Sequence, residues 1–273
     1  MTTDLNPQGT QMADESMVRN LAAQIDCIWP QEQPLFARYK LAPDIRILDA
    51  GCGTGEAAGR LAELYPQANL LGVDIIDAHL EIARTRHARF GARLRYENRS
   101  IFELGFPEKC FDLTVCRHVL QAIPHADRAI AELIRVTRPG GRLHLIAEDY
   151  GMIRFQKRAL DPDEFWNTVP PQFGRALGTD MFIGRNAATI LRRLGLREVT
   201  VDYVVVDTLR APRESFAQIW TAWRDGYVGA IGQYTAMPAD QARAHFDDQI
   251  ATLRDPGAYA VWFVPVISGI VPG

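Results

Sequence analysis

Residues 45–61, IRILDAGCGTGEAAGRL, constrain the fold of this chain more than any other segment. A short apolar run that ends at Asp49 is followed by three glycines at alternate positions, and then by an alanine-rich stretch. Glycine permits the positive φ angles of a sharp turn and leaves room for a ligand beside the main chain. The free amides and the positive dipole end of the following helix would point at that ligand. The pattern therefore predicts a strand, a ligand-binding loop and a helix in succession.

The spacing of the glycines distinguishes two classes of ligand. A dinucleotide-binding loop has the pattern G-x-G-x-x-G, whereas this loop has G-x-G-x-G and places Glu56 where the third glycine would stand. The next apolar run ends at Asp74, whose carboxylate can accept hydrogen bonds from both ribose hydroxyls of an adenosine. Asp49 supplies a second carboxylate, where an ammonium group could lie. An adenosine that also carries an amino-acid group fits these two acids better than a pyrophosphate does.

Strand-like and helix-like segments alternate from residue 45 to residue 148. The predicted strands are 45–49, 69–74, 93–98, 111–116 and 141–148, and the predicted helices between them are 55–65, 77–90 and 125–137. Such alternation is typical of a parallel sheet with crossover helices, which binds its ligands beyond the carboxyl ends of the strands. We therefore expect the functional side chains at strand ends.

The flanking segments are predominantly helical. Met17, Leu21, Ile25 and Ile28 recur at helical spacing, which predicts an amphipathic helix that stops before Pro30. Four further helices are predicted beyond the alternating region, at 161–177, 185–194, 213–230 and 238–254, together with two β-rich runs at 198–208 and 259–270.

Five motifs, taken in order, resemble those of the class I S-adenosylmethionine-dependent methyltransferases. They are ILDAGCGTG, LLGVD, YENRSIFEL, FDLTVCRHVLQAIP and RVTRPGGRLHLIAED. The resemblance covers residues 45–149 and implies S-adenosyl-L-methionine as methyl donor, with S-adenosyl-L-homocysteine as product. It also implies an α/β fold with a Rossmann-like, doubly wound, mostly parallel seven-stranded sheet. Such a sheet ends in an antiparallel hairpin, for which 198–208 and 259–270 are the candidates.

On this interpretation residues 1–273 form a single methyltransferase domain. Residues 1–40 would be a helical cap, 41–150 the cofactor-binding core, and 151–195 and 208–257 helical insertions that form a lid. Trp220, Trp223 and Tyr227 share one helical face in the second insertion. Such a stripe is typical of core packing, and a substrate wall is the alternative.

The resemblance also implies which residues hold the donor. They are Asp49, Gly51, Cys52, Gly53, Gly55, Asp74, Ile75, His79, Ser100, Ile101 and Arg117. Ser100 departs from the family pattern, because it stands where the family usually has an Asp that binds the adenine amino group.

The acceptor is expected near His118, which follows the fourth strand, and near Glu148 and Asp149, which follow the fifth. His118 is the candidate general base, because histidine is the residue type that titrates near neutral pH. The sequence shows no partner that would orient its imidazole, so a structural or positioning role is the alternative. Arg117 could steer an anionic acceptor or pair with Glu148 or Asp149, and these two carboxylates could instead receive an amine or a hydroxyl. Two aromatic residues of the second insertion complete the predicted substrate contacts, Trp220 and Trp223.

Composition and missing motifs narrow the class of acceptor. The net charge is −3, and no block of five like charges gives the electrostatic footprint of a nucleic-acid-binding protein. The D/N/S-P-P-Y/F/W motif of amino-methylating nucleic-acid enzymes does not follow the fourth strand. The four cysteines show no C-x-x-C spacing and no D-x-D pair follows the motifs, so no metal site is expected. A small organic acceptor with an N, O or C nucleophile fits best.

The sequence also bears on location and on other functions. The first sixteen residues lack the basic and apolar regions of a signal peptide, and no apolar run reaches the ~20 residues of a membrane span. We therefore expect a cytoplasmic protein without membrane partners, which could be a homodimer. A nicotinamide-dependent oxidoreductase is disfavoured by the loop spacing and by the lack of a Tyr-x-x-x-Lys motif. A non-catalytic S-adenosylmethionine-binding module remains the alternative.

Overall fold

An eight-stranded sheet forms the centre of the computed structural model, which describes residues 4–273. The strands are β1 (Arg46–Ala50), β2 (Asn69–Asp74), β3 (Leu94–Asn98), β4 (Phe111–Arg117), β5 (Thr137–Ile146), β6 (Ile153–Phe155), β7 (Arg197–Asp207) and β8 (Ala260–Ile270). Strands β1 to β5 are parallel, in the spatial order β3-β2-β1-β4-β5. β8 lies antiparallel to β5, and β7 pairs antiparallel with β8. The predicted Rossmann-like sheet and its terminal hairpin are confirmed, with eight strands instead of seven.

The additional strand is β6, which pairs with β8 only through Ile153↔Trp262, Arg154↔Val261 and Phe155↔Ala260. β5 occupies the same edge of β8 farther along, so β6 continues the sheet where β5 has ended. Three residues are too few to show a strand periodicity in a sequence.

Helices cover both faces of the sheet. The helices within residues 4–273 are α1 (Gly9–Met12), α2 (Glu15–Ala37), α3 (Glu56–Leu64), α4 (Asp77–Arg86), α5 (Ala126–Val136), α6 (Pro162–Leu177), α7 (Ile183–Arg193), α8 (Arg213–Tyr234) and α9 (Ala239–Arg254). Two 3₁₀ segments, Ala88–Arg93 and Tyr150–Met152, complete the helical structure. The helix predicted at 77–90 therefore ends earlier and continues as the first of these segments. Within this part of the chain, no helix has the length and apolar character needed to cross a membrane.

Helix α2 runs through Pro30 and Pro34, so the predicted stop before Pro30 is wrong. A proline inside a helix removes one backbone hydrogen bond and kinks the chain. Contacts of the second half of the helix offset that cost. Glu32 is fully buried against strands β4 and β5, and the Phe36 ring stacks on His144 with 4.4 Å between ring centroids.

The helices of the two predicted insertions pack on the sheet beside β6, β7 and β8. Their shared core is rich in large aromatic side chains, among them Phe165, Trp166, Trp220, Phe246 and Trp262. This packing holds α8 across the carboxyl ends of the parallel strands, where two of its aromatic residues line a cavity, Trp223 and Tyr227.

Candidate functional site

A cavity of about 1030 Å³, counting the space open to solvent, lies beyond the carboxyl ends of β1, β2, β4 and β5. This is the edge at which a doubly wound sheet binds its ligands. Helices α2 and α8 supply the opposite walls. Most of the residues predicted to hold the donor or the acceptor line this cavity: Gly51, Gly53, Asp74, Ile75, His79, Ile101, Arg117, His118, Glu148 and Trp223.

Asp74 ends β2 beside the glycine loop. One carboxylate oxygen accepts the backbone N–H of Gly53 at 2.8 Å, and the other accepts that of Ile76 at 3.0 Å. An ionised carboxylate offers about four acceptor positions, so two remain for a ligand. Asp74 can therefore hold the loop in place and bind a diol.

Replacing Asp74 with Ala is expected to weaken S-adenosylmethionine binding more than tenfold. A lost charge-assisted hydrogen bond costs about 1.5–3 kcal/mol, and the loop also loses its anchor. Calorimetric titration measures the affinity. Asp77→Ala is the matched control, because that carboxylate is exposed and lies outside the cavity. Unchanged affinity in a folded Asp74→Ala protein would contradict the assignment.

Gly53 lies where helix α2 meets the loop. Its φ is +52°, and a Cβ atom would lie 2.7 Å from Cδ1 of Leu21. Both residues line the cavity. A side chain at this position would strain the backbone and force the Leu21 side chain to move.

We expect Gly53→Val to abolish donor binding and to leave the protein soluble, because the loop lies at the edge of the fold. Gly140→Val is the control, since Gly140 also has a positive φ, +76°, but a Cβ atom there meets nothing within 4 Å. Calorimetry measures the donor affinity of both variants, and the difference between them separates the effect of backbone strain from the effect of lost cavity space. Donor binding that survives in Gly53→Val would place the ligand elsewhere.

Gly55 and Cys52, two further loop residues that were predicted to hold the donor, face the interior. A Cβ atom at Gly55 would lie 2.5 Å from the Tyr96 hydroxyl and 2.9 Å from Nδ1 of His87, so packing requires this glycine. Cys52 is buried near Tyr96, and burial raises the pKa of its thiol. The structure thus places Gly55 and Cys52 outside the cavity lining, and their contacts with the donor stay predictions.

The adenine-flanking segment follows β3. Ile101 and Arg99 line the cavity, and Ile75, which is 38% exposed, lines it from the end of β2. Ser100 is not part of that lining, and its hydroxyl oxygen accepts the N–H of Phe102 at 3.3 Å. Successive side chains of an extended segment point to opposite sides, so neighbours of Ser100 reach the cavity while Ser100 does not. The predicted adenine contact of Ser100 stays a prediction that its position outside the lining does not support.

Two buried polar groups near the loop have atoms without a hydrogen-bond partner among residues 4–273, Oδ2 of Asp49 and Nε2 of His79. His79 lines the cavity, and burial lowers its pKa. Asp49 lies behind the loop, where burial raises the pKa of its carboxyl to about 7 although Arg117 acts in the opposite direction.

The raised pKa of Asp49 makes the stability of the ligand-free protein depend on pH. Between about pH 4 and pH 7 the folded state keeps the Asp49 proton that the unfolded state releases, so the free energy of unfolding falls as the pH rises. We expect this fall to amount to a few kcal/mol and to be absent in Asp49→Asn. Urea unfolding of both proteins at several pH values measures it. Parallel pH profiles for the two proteins would contradict the prediction.

His118 and Glu148 form a pair in the cavity, at the ends of β4 and β5. Nδ1 of His118 lies 2.5 Å from Oε1 of Glu148, and both side chains are buried. A carboxylate only accepts, so the hydrogen of this bond lies on Nδ1, and in the neutral imidazole Nε2 keeps its lone pair. Within residues 4–273, Nε2 of His118 and Oε2 of Glu148 have no partner. Glu148 is therefore the orienting partner that sequence analysis did not find.

The backbone at His118 has a φ of +57°, which is uncommon for a residue other than glycine. Its N–H donates to the carbonyl of Ile146 at 2.9 Å, which ties the loop after β4 to the end of β5. Conformations of this kind persist where the surrounding structure holds them in place. The strand ends thus bring a histidine and a glutamate, 30 residues apart in the chain, into contact.

Arg117 pairs with Glu32 of helix α2 instead of Glu148 or Asp149. Two bonds join the side chains, Nε to Oε1 at 2.9 Å and Nη2 to Oε2 at 2.8 Å, and His144 binds the same carboxylate at 3.0 Å. Burial alone would raise the pKa of Glu32, but Arg117 and His144 lower it to about 2. The charge of Arg117 is thereby compensated, which weakens its predicted role in steering an anion.

A sequence signal for Glu32 does exist. It lies four residues after Ile28 and continues the apolar stripe of the predicted N-terminal helix. A carboxylate on a buried helix face requires a partner, because an unpaired charge is costly to bury. The predicted helix ended three residues too early to include it.

Asp149 and Trp220, two of the predicted substrate contacts, lie outside the cavity lining. Both oxygens of Asp149 bind Arg185, at 2.5 and 2.6 Å, and the residue is fully buried. Trp220 is fully buried in the aromatic core and its indole N–H donates to Gln249 at 2.8 Å. These two predictions are corrected, whereas Trp223, on the same helix as Trp220, does line the cavity.

Sequence analysis missed several other residues of the cavity. They include Asn20, Leu21, Gln24, Gln121 and Tyr150. Tyr227 also lines the cavity, although the sequence placed it only in the aromatic stripe. Gln121 donates to the carbonyl of His118 at 2.8 Å, which leaves its own oxygen free. Asn20 and Gln24 follow Met17 and Leu21 at i+3 spacing. Two polar residues on the apolar face of the predicted helix were therefore the sequence signal for this part of the cavity.

The mostly parallel sheet with its antiparallel edge has the Rossmann-like fold of methyltransferases. Residues 47–141 match the family described as "Methyltransferase domain". The resemblance inferred from the five motifs is therefore confirmed over residues 47–141.

Comparison with curated proteins gives relatives of the same kind. The chain is 33% identical to demethylmenaquinone methyltransferase of Deinococcus radiodurans over 101 residues, which are 37% of this chain and 42% of that enzyme. The first curated relatives are all matched over less than two thirds of their own length.

Two solved structures extend the likeness across nearly the whole chain. The [4+2]-cyclase SpnF has a TM-score of 0.62 at 19% identity, covering 99% of this chain and 98% of its own. Phosphoethanolamine N-methyltransferase 2 of Haemonchus contortus, solved with phosphomonomethylethanolamine and S-adenosylhomocysteine, has a TM-score of 0.58 at 18% identity, covering 90% and 53%. At these identities the comparisons establish the fold.

Proposed function

We propose that this protein transfers a methyl group from S-adenosylmethionine to a small organic acceptor. One observation carries the proposal: a single cavity contains both the Gly53–Asp74 pair and the unpartnered Nε2 of His118, oriented by Glu148. When bound, S-adenosylmethionine supplies an electrophilic methyl group on a positively charged sulfur.

The residues at the donor end fit such a ligand. Gly51 and Gly53 place no side chain in the cavity. The free acceptor positions of Asp74 suit the ribose hydroxyls. Ile75 and Ile101 offer apolar surfaces for a flat base. His79 has an unpartnered ring nitrogen that a polar ligand atom can reach.

His118 and Glu148 would act on the acceptor. Nε2 of His118 accepts the proton that an O–H, N–H or activated C–H group loses as it becomes the nucleophile. Glu148 stabilises the imidazolium that results and keeps the ring in its orientation. The proton then leaves Nε2 for solvent when the site opens.

Aromatic side chains of the roof would exclude water and align the acceptor. Tyr150, Trp223 and Tyr227 border the cavity on the α8 side, and Leu21 and Gln24 of α2 border it opposite. We therefore propose that the lid consists of α8, in the 208–257 insertion, together with the N-terminal half of α2. In this arrangement the segments 1–40, 41–150, 151–195 and 208–257 serve one catalytic domain, of which the structure describes the part from residue 4.

The proposal is tested by incubating the protein with methyl-labelled S-adenosylmethionine and a panel of phenols, amines and activated carbon acids. We expect label transfer to at least one class, with release of S-adenosylhomocysteine, and transfer slower by about tenfold or more with Asp74→Ala at subsaturating S-adenosylmethionine. Tight donor binding without label transfer to any class would contradict the proposal.

A second function, non-catalytic or non-methylating use of the same ligand site, has one observation in its favour. The similar structure of SpnF is that of a cyclase, so this fold does not by itself entail methyl transfer. Calorimetry with S-adenosylmethionine, S-adenosylhomocysteine and NAD identifies the ligand, and the label-transfer assay then separates the two functions.

Two further expectations from the sequence belong to the proposal. A homodimer would involve the edge of β7, whose Val201 and Tyr203 are exposed, and light scattering in solution measures the oligomeric state. A cytoplasmic location is to be measured by fractionation of the source cells.

A further inference from the structure

A second, smaller recess of about 440 Å³, counting the space open to solvent, adjoins the main cavity. Its walls come from α6, α8 and α9 and are apolar apart from two tyrosine hydroxyls. The residues that line the recess alone include Phe165, Trp166, Val169, Phe173 and Phe246.

The recess and the main cavity share one wall. Tyr150, Trp223 and Tyr227 line both spaces, whereas the donor-side residues Gly53 and Asp74 line only the main cavity. The Tyr227 hydroxyl donates to Gln8 at 3.0 Å, so its polar end is already satisfied. The recess therefore lies directly beside the His118 side of the main cavity and offers a ligand almost entirely carbon surface.

We propose that this recess binds an apolar group of the acceptor, a short alkyl chain or a ring, while the acceptor's O–H or N–H group lies at His118. This inference rests on the proposed function, because it places the methyl-accepting group at Nε2 of His118. An apolar recess gives water few polar partners, whereas an apolar group gains from leaving water. The substrate class is thus an amphiphile with a proton-donating head and a compact apolar tail.

A series of 4-alkylphenols, from methyl to hexyl, tests the proposal by calorimetry on the protein saturated with S-adenosylhomocysteine. We expect the affinity to rise about fourfold for each added methylene until the recess is full, and then to level off. An affinity that does not change with chain length would overturn the proposal.

Two variants change the size of the recess in opposite directions. Val169→Phe fills it and is expected to move the levelling-off point to shorter chains, whereas Phe173→Leu enlarges it and moves that point to longer chains. Val199→Phe is the matched control, because this residue of β7 packs in a different core cluster and is expected to leave the series unchanged. Thermal stabilisation by S-adenosylhomocysteine shows that each variant is folded. Shifts in the same direction, or none, would overturn the proposal.

The same experiment distinguishes failure of this inference from failure of the proposed function. A chain-length series that behaves as expected, without label transfer to any phenol, amine or activated carbon acid, supports the recess and contradicts methyl transfer. Label transfer at a rate and affinity independent of chain length supports methyl transfer and overturns the recess.

Discussion

Replacing His118 with Asn is expected to lower kcat for methyl transfer by about 100-fold or more, while S-adenosylmethionine affinity stays nearly unchanged. Asn is the informative substitution because it tolerates the positive φ of this residue, so the variant loses the imidazole without added backbone strain. The reason for the loss is the removal of Nε2, the unpartnered base in the cavity. Initial rates with an acceptor identified by the label-transfer screen measure the effect.

Glu148→Gln is expected to reduce kcat nearly as much, because Gln can no longer hold the Nδ1–H tautomer by charge. If the two residues act as a pair, the double variant loses little more than either single variant. His125→Asn is the control, since His125 also has a positive φ, +51°, but is exposed and outside the cavity. A smaller loss that appears mainly in the acceptor KM would mean that His118 positions the acceptor without taking its proton. Full activity in His118→Asn would exclude both roles.

Glu32→Ala is expected to lower the free energy of unfolding by about 3–5 kcal/mol, because it leaves the buried guanidinium of Arg117 without its counter-ion. The loss should be accompanied by weaker donor binding, since the same helix places Leu21 and Gln24 at the cavity. Denaturant unfolding measures the stability, and Glu32→Gln serves if the Ala variant does not fold.

Glu15→Ala is the matched control for that measurement. Glu15 lies on the same helix and pairs with Arg19, but its side chain is 75% exposed, so its loss should cost about 0–1 kcal/mol. Replacing both Glu32 and Arg117 with Met is expected to recover much of the stability, because no buried charge is then left unpaired. A cost below about 1 kcal/mol for Glu32→Ala would show that the ion pair does not hold α2 on the sheet.

The order of strands and helices could be predicted from the sequence because each element carries its own pattern. The strand predicted at 69–74 is β2 as observed, and the helix predicted at 161–177 differs from α6 by one residue. The glycine loop and Asp74 were also predictable, since a sharp turn between a strand and a helix depends on residues within a few positions of one another.

Errors arose where a contact with a distant segment overrides a local pattern. The prolines of α2 are ordinary stop signals, yet the helix continues because Glu32 and Phe36 pack on strands β4 and β5. The sequence pattern does not distinguish Trp220 from Trp223. The packing of α8 places Trp220 in the core and Trp223 at the cavity.

The sequence by itself thus determined the class of fold, the glycine loop and the strand ends at which the site would lie. The tertiary structure decided the partner of each charged side chain: Glu148 for His118, Glu32 for Arg117 and Arg185 for Asp149. These pairs are 30, 85 and 36 residues apart in the chain. Periodicity reports which side of an element is buried, but the partner that a buried charge meets depends on how distant elements pack against one another.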